Sequence, residues 1–194
     1  MVMGRHDEAL REMTKAQELD PLALVISVNV GMVHYYAGDF GQAEAWLRKT
    51  LELDSDFPFA HQLLAKTLLL QGGLAEAITQ AREAVRRSND GPRYAATLGY
   101  VCAKAGQPEE ARRILDELTA RSTQAYVAPT HFALVYAGLG EADRMFDWLE
   151  KAYQEHDVLL LFTLIDPALA PMRADPRFAD LLRRVGLPTG KDNP

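Results

Sequence analysis

The chain has 194 residues, 48% of them hydrophobic, with 21 Lys plus Arg against 27 Asp plus Glu and a net charge of −6. That is enough apolar residue for one domain or one repeat array, and the acidic balance excludes it as an ordinary binder of nucleic-acid backbones. A single cysteine, Cys102, excludes an internal disulfide framework and a cysteine-based zinc site, and fits a reducing compartment such as the cytoplasm.

The N-terminal residues carry the first signal of order. Gly4, Gly38, Gly72, Gly106 and Gly140 are each 34 residues apart. A fixed period of this size marks a repeat architecture. Other small or apolar residues run in register with the glycines: Ala9, Ala43, Ala77, Ala111 and Met145 follow them by five positions. Gly31, Ala65, Gly99 and Ala133 precede the later four by seven. Small residues in register mark close contact between paired helices. Residues 1–23 hold a turn and a second helix without their first helix, so the chain reads as an excised piece of a longer protein. The repeat ending Glu18-Leu19-Asp20-Pro21 places a proline where one helix stops and the next begins.

Four full repeats follow, over 24–57, 58–91, 92–125 and 126–159. In the first of them Ser27, Val30, Gly31 and His34 share one helix face. Gly38-Asp39 breaks that helix, and Phe40, Ala43, Leu47 and Thr50 form the inner stripe of the next. No segment alternates with period two, so no sheet is expected. The predicted fold class is all-α: a solenoid of antiparallel helix pairs, each burying its apolar face against its neighbours.

The period fails after residue 159. The apolar stretch over 158–165 reads as a short helix buried on two sides, and it is far below the ~20 residues needed to span a bilayer. Asp166-Pro167 and Asp175-Pro176 are helix starts. Phe178, Leu181, Leu182 and Val185 form one face of the last helix and Gly186 closes it. Residues 160–187 are therefore expected to cap the array, and 188–194 to be a disordered tail.

On the 34-residue register, residues 4–159 resemble the tetratricopeptide repeat (TPR) family. The tail, with Trp148-Leu149-Glu150-Lys151-Ala152-Tyr153, Asp166-Pro167, Arg173-Ala174-Asp175-Pro176-Arg177-Phe178 and Leu182-Arg183-Arg184-Val185-Gly186-Leu187, resembles the C-terminal end of bacterial multidomain regulators. In those proteins a TPR region follows an output domain such as a nucleotide cyclase, a protein kinase or a winged-helix activator. The resemblance implies a scaffolding, partner-binding role in signalling. The chain departs from the family pattern where a tryptophan is usual: Ser27, His61, Ala95 and Pro129 stand there.

No catalytic constellation is legible. His6, His34, His61, His131 and His156 have no His-Glu-x-x-His spacing, so no metal site is expected; His34 and His61 fall at core-facing places. Cys102 faces the expected core as a packing thiol. No phosphate-binding glycine loop is present, and no cofactor is expected. The sequence points to a non-enzyme.

The remaining candidate surface is the concave groove, which in TPR arrays is lined mainly by the first helix of each repeat. Its stripe includes Val28, Met32, Tyr35, Phe59, Gln62, Lys66, Arg93 and Tyr100. Tyr35, Phe59 and Tyr100 are expected to form an aromatic track, with Lys66 and Arg93 favouring an acidic residue in a bound peptide. Only two cations and no asparagine lie on the stripe, which argues against a full carboxylate clamp. The expected partner is a protein or peptide, with no nucleic acid and no membrane. A homodimer through the N-terminal half repeat is a further expectation. The alternative is a structural or dimerising segment of a signalling protein without a peptide ligand.

Overall fold

The computed structural model describes residues 6–20 and 22–189, and the fold they form is an all-α solenoid without strands. Helix α1 (His6–Leu19) precedes four consecutive pairs: α2 (Leu24–Ala37) with α3 (Phe40–Leu53), α4 (Pro58–Leu70) with α5 (Leu74–Arg87), α6 (Pro92–Lys104) with α7 (Pro108–Ser122), and α8 (Pro129–Leu139) with α9 (Ala142–Gln154). The short helix α10 (Leu160–Ile165), a 3-10 helix (Pro167–Met172) and α11 (Pro176–Arg184) complete the chain. Gly4, Pro21 and 190–194 lie outside the described residues, and with them the first turn and most of the expected tail.

The repeat is written in its punctuation. Gly38, Gly72, Gly106 and Gly140 all have φ between 76° and 87°, the left-handed conformation that lets the chain leave one helix and start the next within two or three residues. Proline opens α4, α6 and α8 at a position whose N–H has no helical partner anyway. Second helices are amphipathic: α5 buries Ala77, Ala81 and Ala84 and turns its charges to solvent. First helices α4 and α6 are enclosed on most sides, so α4 buries ten residues, including His61, Gln62 and Lys66.

Close helix approach depends on missing side chains. A Cβ on Gly31 would sit 3.0 Å from Leu47 Cγ, and one on Gly99 3.0 Å from a Val135 methyl. Gly138 is tighter still: a Cβ there would meet the backbone Cα and carbonyl oxygen of Tyr100, both at 3.0 Å, so α8 and α6 touch backbone to side-chain-free backbone.

His61 is a satisfied core histidine, its ring nitrogens 2.6 Å from Gln80 Oε1 and 2.9 Å from the Ser55 carbonyl. Cys102 is fully buried and burial pushes its thiol up, so it packs as a small apolar group. Asp157 is buried too. It accepts from the Thr130 backbone N–H (3.2 Å) and hydroxyl (2.7 Å), supplying from 27 residues away the anion that the N-terminus of α8 lacks locally.

The stretch over 158–165 differs from the expectation of burial on two sides. Leu160 and Leu164 are buried, but Val158 is 80% exposed and Leu161 and Phe162 are more than a third exposed. The helix starts two residues later than the apolar run and lies across the array, so only its inner face is covered.

Candidate functional site

First helices α2, α4, α6 and α8 form the inner layer of the solenoid, and their exposed stripes face one groove. The groove is divided. Its inner half is filled by the chain's own C-terminal segment, and its outer half remains at the surface.

Asp166 is the centre of the inner half. It is 5% exposed and sits 100 residues from Lys66, the buried cation of α4 whose ammonium it pairs with. Its second oxygen accepts from the Tyr35 hydroxyl at 2.6 Å and from the Ala168 N–H at 2.9 Å. Tyr100 donates to the Ala168 carbonyl at 3.2 Å. The Tyr35 ring also lies 5.2 Å from the Lys66 ammonium. Burial first, and the Asp166 charge second, hold the Tyr35 and Tyr100 hydroxyls above their ordinary range, so both act as donors at neutral pH. Every polar atom in the cluster has a partner, which is the condition for a buried ion pair to be tolerated. The apolar residues of the segment divide: Ala168 belongs to the main core of the array, while Leu160, Leu164 and Leu169 are buried in a second core with α8, α9 and α11. Burying three leucines stabilises the seated segment by ~1.5–3 kcal/mol each.

The outer half has a different character. Arg93 lies with its guanidinium 4.6 Å from the Phe59 ring centre. No acid pairs with it among the described residues, and desolvation is the main effect on its pKa, which is lowered. Gln62, whose amide N donates to the Thr97 hydroxyl at 2.7 Å, has a buried carbonyl oxygen with no donor. His131 has both ring nitrogens buried without a partner, and burial pushes it down to about 4. Tyr36, close enough to Arg93 for each charge to influence the other, packs its ring 6.4 Å from Phe162 of α10. Half-buried Phe59 and Tyr36 and exposed Arg93 and Phe162 thus make an aromatic and cationic surface patch.

The residues expected on the groove separate between these halves. Val28, Tyr35, Gln62, Lys66 and Tyr100 are buried. Met32 and Phe59 are half-buried, and Arg93 is exposed. The structure unites Tyr35, Lys66 and Tyr100 around Asp166, and Phe59 with Arg93. Sequence reasoning missed Asp166 as the groove's internal anion, because it read Asp166-Pro167 as a helix start; the carboxylate performs both roles. Phe162 was missed as well. The available signal was a buried lysine in a chain with no acid on the same stripe, which required an acid from elsewhere.

A cleft between α9 and α11, lined by Phe146, Glu150, Arg177 and Arg184, is a further concave feature. Its cations are already spent on acids: Arg184 forks onto Glu150 at 2.7 and 2.8 Å, and Arg177 bonds Asp143 at 2.9 Å. Among the described residues, no group of three or more His, Cys, Asp or Glu could hold a metal ion, and no helix is long and apolar enough to cross a membrane.

The geometry has counterparts in known proteins. A family model described as a tetratricopeptide repeat matches residues 1–58 and 63–126. The human Tetratricopeptide repeat protein 13 is 31% identical over 88 residues, 45% of this chain and 10% of that protein. The bovine BBSome complex member BBS4 is 26% identical over 137 residues, 71% of this chain and 25% of that protein. The chain therefore spans a quarter or less of these relatives. Among solved structures, YrrB, a TPR protein with an unusual peptide-binding site, has a TM-score of 0.52 at 21% identity, covering 89% of each chain. A tetratricopeptide repeat protein from Parabacteroides merdae has a TM-score of 0.55 at 14% identity, covering 94% of this chain and 68% of that one. At these identities the two structures show the shared fold. TPR repeats generally mediate protein–protein interaction, and their fold is typically a non-catalytic scaffold. With the family model matching more than half of its length and the same helix-pair architecture in its solved relatives, the chain belongs to the tetratricopeptide repeat family.

Proposed function

We propose that the protein is an interaction scaffold that takes a partner protein segment on the outer half of its groove. The observation that carries this reading is Arg93: an exposed residue whose guanidinium stacks on Phe59, with no acid of its own among the described residues, near an exposed phenylalanine, Phe162. A partner segment with one acidic residue next to an apolar or aromatic one matches that patch. The chain's net charge of −6 would repel an acidic partner over long distances, so the attraction is local to Arg93. The inner half is a poor place for such a partner. Lifting the Asp166 segment would cost ~5 kcal/mol or more by the burial of three leucines alone, lowering apparent affinity by a factor of several thousand. The tail's likeness to bacterial multidomain regulators supports reading this scaffold as part of a cytoplasmic signalling protein, where the bound segment would connect an output domain to a partner.

Selection of peptides from a random library on the folded chain tests the reading, followed by calorimetry on variants. Phe59→Ala and Phe162→Ala should each weaken a selected acidic-aromatic peptide by about 2 kcal/mol, the usual loss at an aromatic anchor. Arg93→Ala should weaken it less, and mainly at low salt. Peptides whose binding ignores all three substitutions would refute the assignment.

The second reading, a dimerising segment, rests on the other end of the molecule, where Leu19, Leu22 and Val25 are exposed. Light scattering distinguishes it: a concentration-dependent dimer broken by Val25→Asp supports it, and a monomer at high concentration excludes it.

A further inference from the structure

We infer that the inner groove is a receptor for an Asp-Pro turn, and that residues 160–172 of this chain are its ligand, bound in cis. The proposal concerns the Tyr35–Lys66–Tyr100 half of the groove, which the outer-patch reading does not use, although Phe162 of this segment also lines the outer patch. The receptor consists of three side chains from three successive first helices: Tyr35 on α2, Lys66 on α4 and Tyr100 on α6. The ligand is one short element. Asp166 gives both carboxylate oxygens to the receptor and caps its own 3-10 turn through the Ala168 N–H; Pro167 presets that turn; Leu169 is completely buried behind it.

Two features identify this as recognition and not only as packing. The contacts join elements 68 to 131 residues apart, and the polar ones run from receptor donors to ligand acceptors: two tyrosine hydroxyls and one ammonium onto one carboxylate and one carbonyl. A lysine in the middle of α4 would be an uncompensated buried charge without this carboxylate, so the receptor is specific for an acid at one position. The segment is also joined to the array by a non-helical link at 155–159, through which it reaches the groove after α9 has ended. The geometry therefore describes a tethered ligand, held at high effective concentration by its linker. A protein partner that enters the inner groove has to present the same element, an Asp-Pro turn followed by a small residue and a leucine, and has to compete with the tethered copy.

The test uses the full chain and a fluorescein-labelled peptide of residues 160–172 carrying a polar solubilising tail. The unaltered chain should bind it weakly, because its own segment is seated. Asp166→Ala in the chain removes the cis carboxylate and should tighten binding of the unaltered peptide at least tenfold. Adding Lys66→Gln to that variant should abolish the gain, and a peptide with Asn in place of Asp166 should bind at least tenfold more weakly. If Asp166→Ala loses its helical signal, Asp166→Asn, which keeps the shape of the side chain, takes its place. Equal binding to the unaltered and substituted chains, or equal binding of the Asp and Asn peptides, overturns the proposal. Phe59→Ala, on the outer patch, should leave this binding within twofold, so failure here and failure of the outer patch are separate results.

Discussion

The two ends of the array solve the same problem differently. A stacked repeat leaves its last apolar face open, and something has to cover it. At the C-terminal end, the chain covers it with its own residues: Leu160, Leu164, Leu169, Phe178, Leu181 and Leu187 form a second core against Ala133, Met145, Leu149 and Ala152. At the N-terminal end, α1 buries no residue, and Ala9, Leu10, Met13 and Ala16 are only half covered by α2. The difference teaches that the C-terminal cover does more than close the stack. Once α10 and the 3-10 helix pass over the end, they run on into the groove, and the cap becomes a groove element. Among the described residues, α1 shows no comparable cover and should be the more weakly held.

The largest effects are expected at the C-terminal side. Lys66→Met leaves Asp166 buried without its cation and should lower stability by ~3–5 kcal/mol in urea denaturation. Adding Asp166→Leu should recover part of that loss, since an apolar pair of similar volume often does as well as a buried ion pair. Phe178→Ala should cost ~3–5 kcal/mol, because the ring is 1% exposed at the centre of the second core. If either change costs less than ~1 kcal/mol, the cap is not cooperative with the array and the contrast between the ends is false.

An intermediate effect should appear on acidification. His131 is held neutral by burial, with its pKa at about 4 against an ordinary 6.5. The unfolded chain therefore binds more protons than the folded one between these values. Stability should be at its full value above about pH 6.5 and fall as the pH drops towards 4, by about 3 kcal/mol at most. His131→Gln should flatten that part of the pH profile, measured as the shift of the urea midpoint. An unchanged slope would show that other groups carry it.

The smallest effects belong to the N-terminal end. Met13→Ala should cost under ~1 kcal/mol, because the side chain is already half in water. Hydrogen exchange should show α1 opening well before α4 and α6, whose backbones lie inside the stack. Equal protection in α1 and α6 would mean that the half-covered helix is as firmly held as the interior ones.

Much of the architecture was legible in the residues themselves. Glycine at a 34-residue period permits the same left-handed turn at Gly38, Gly72, Gly106 and Gly140, and small residues in register allow helices to pair closely. These are local requirements, so the periodic sequence states them openly. The same register put Tyr35, Lys66 and Tyr100 on first helices, but it did not announce that they are buried. Gly138 was not legible, because its contact is with the backbone of Tyr100 in another repeat, and nothing nearby in sequence announces it.

The sequence by itself determined the helix pairs and their turns. Only the tertiary structure decided what occupies the groove. Asp166 reaches Lys66 across 100 residues and Tyr35 across 131, and such a pairing depends on where the path of the last helices carries a carboxylate after the repeat has ended. Periodicity contains no information about that path. A buried lysine requires an acid, and the sequence shows the requirement; three dimensions were needed to show which acid meets it.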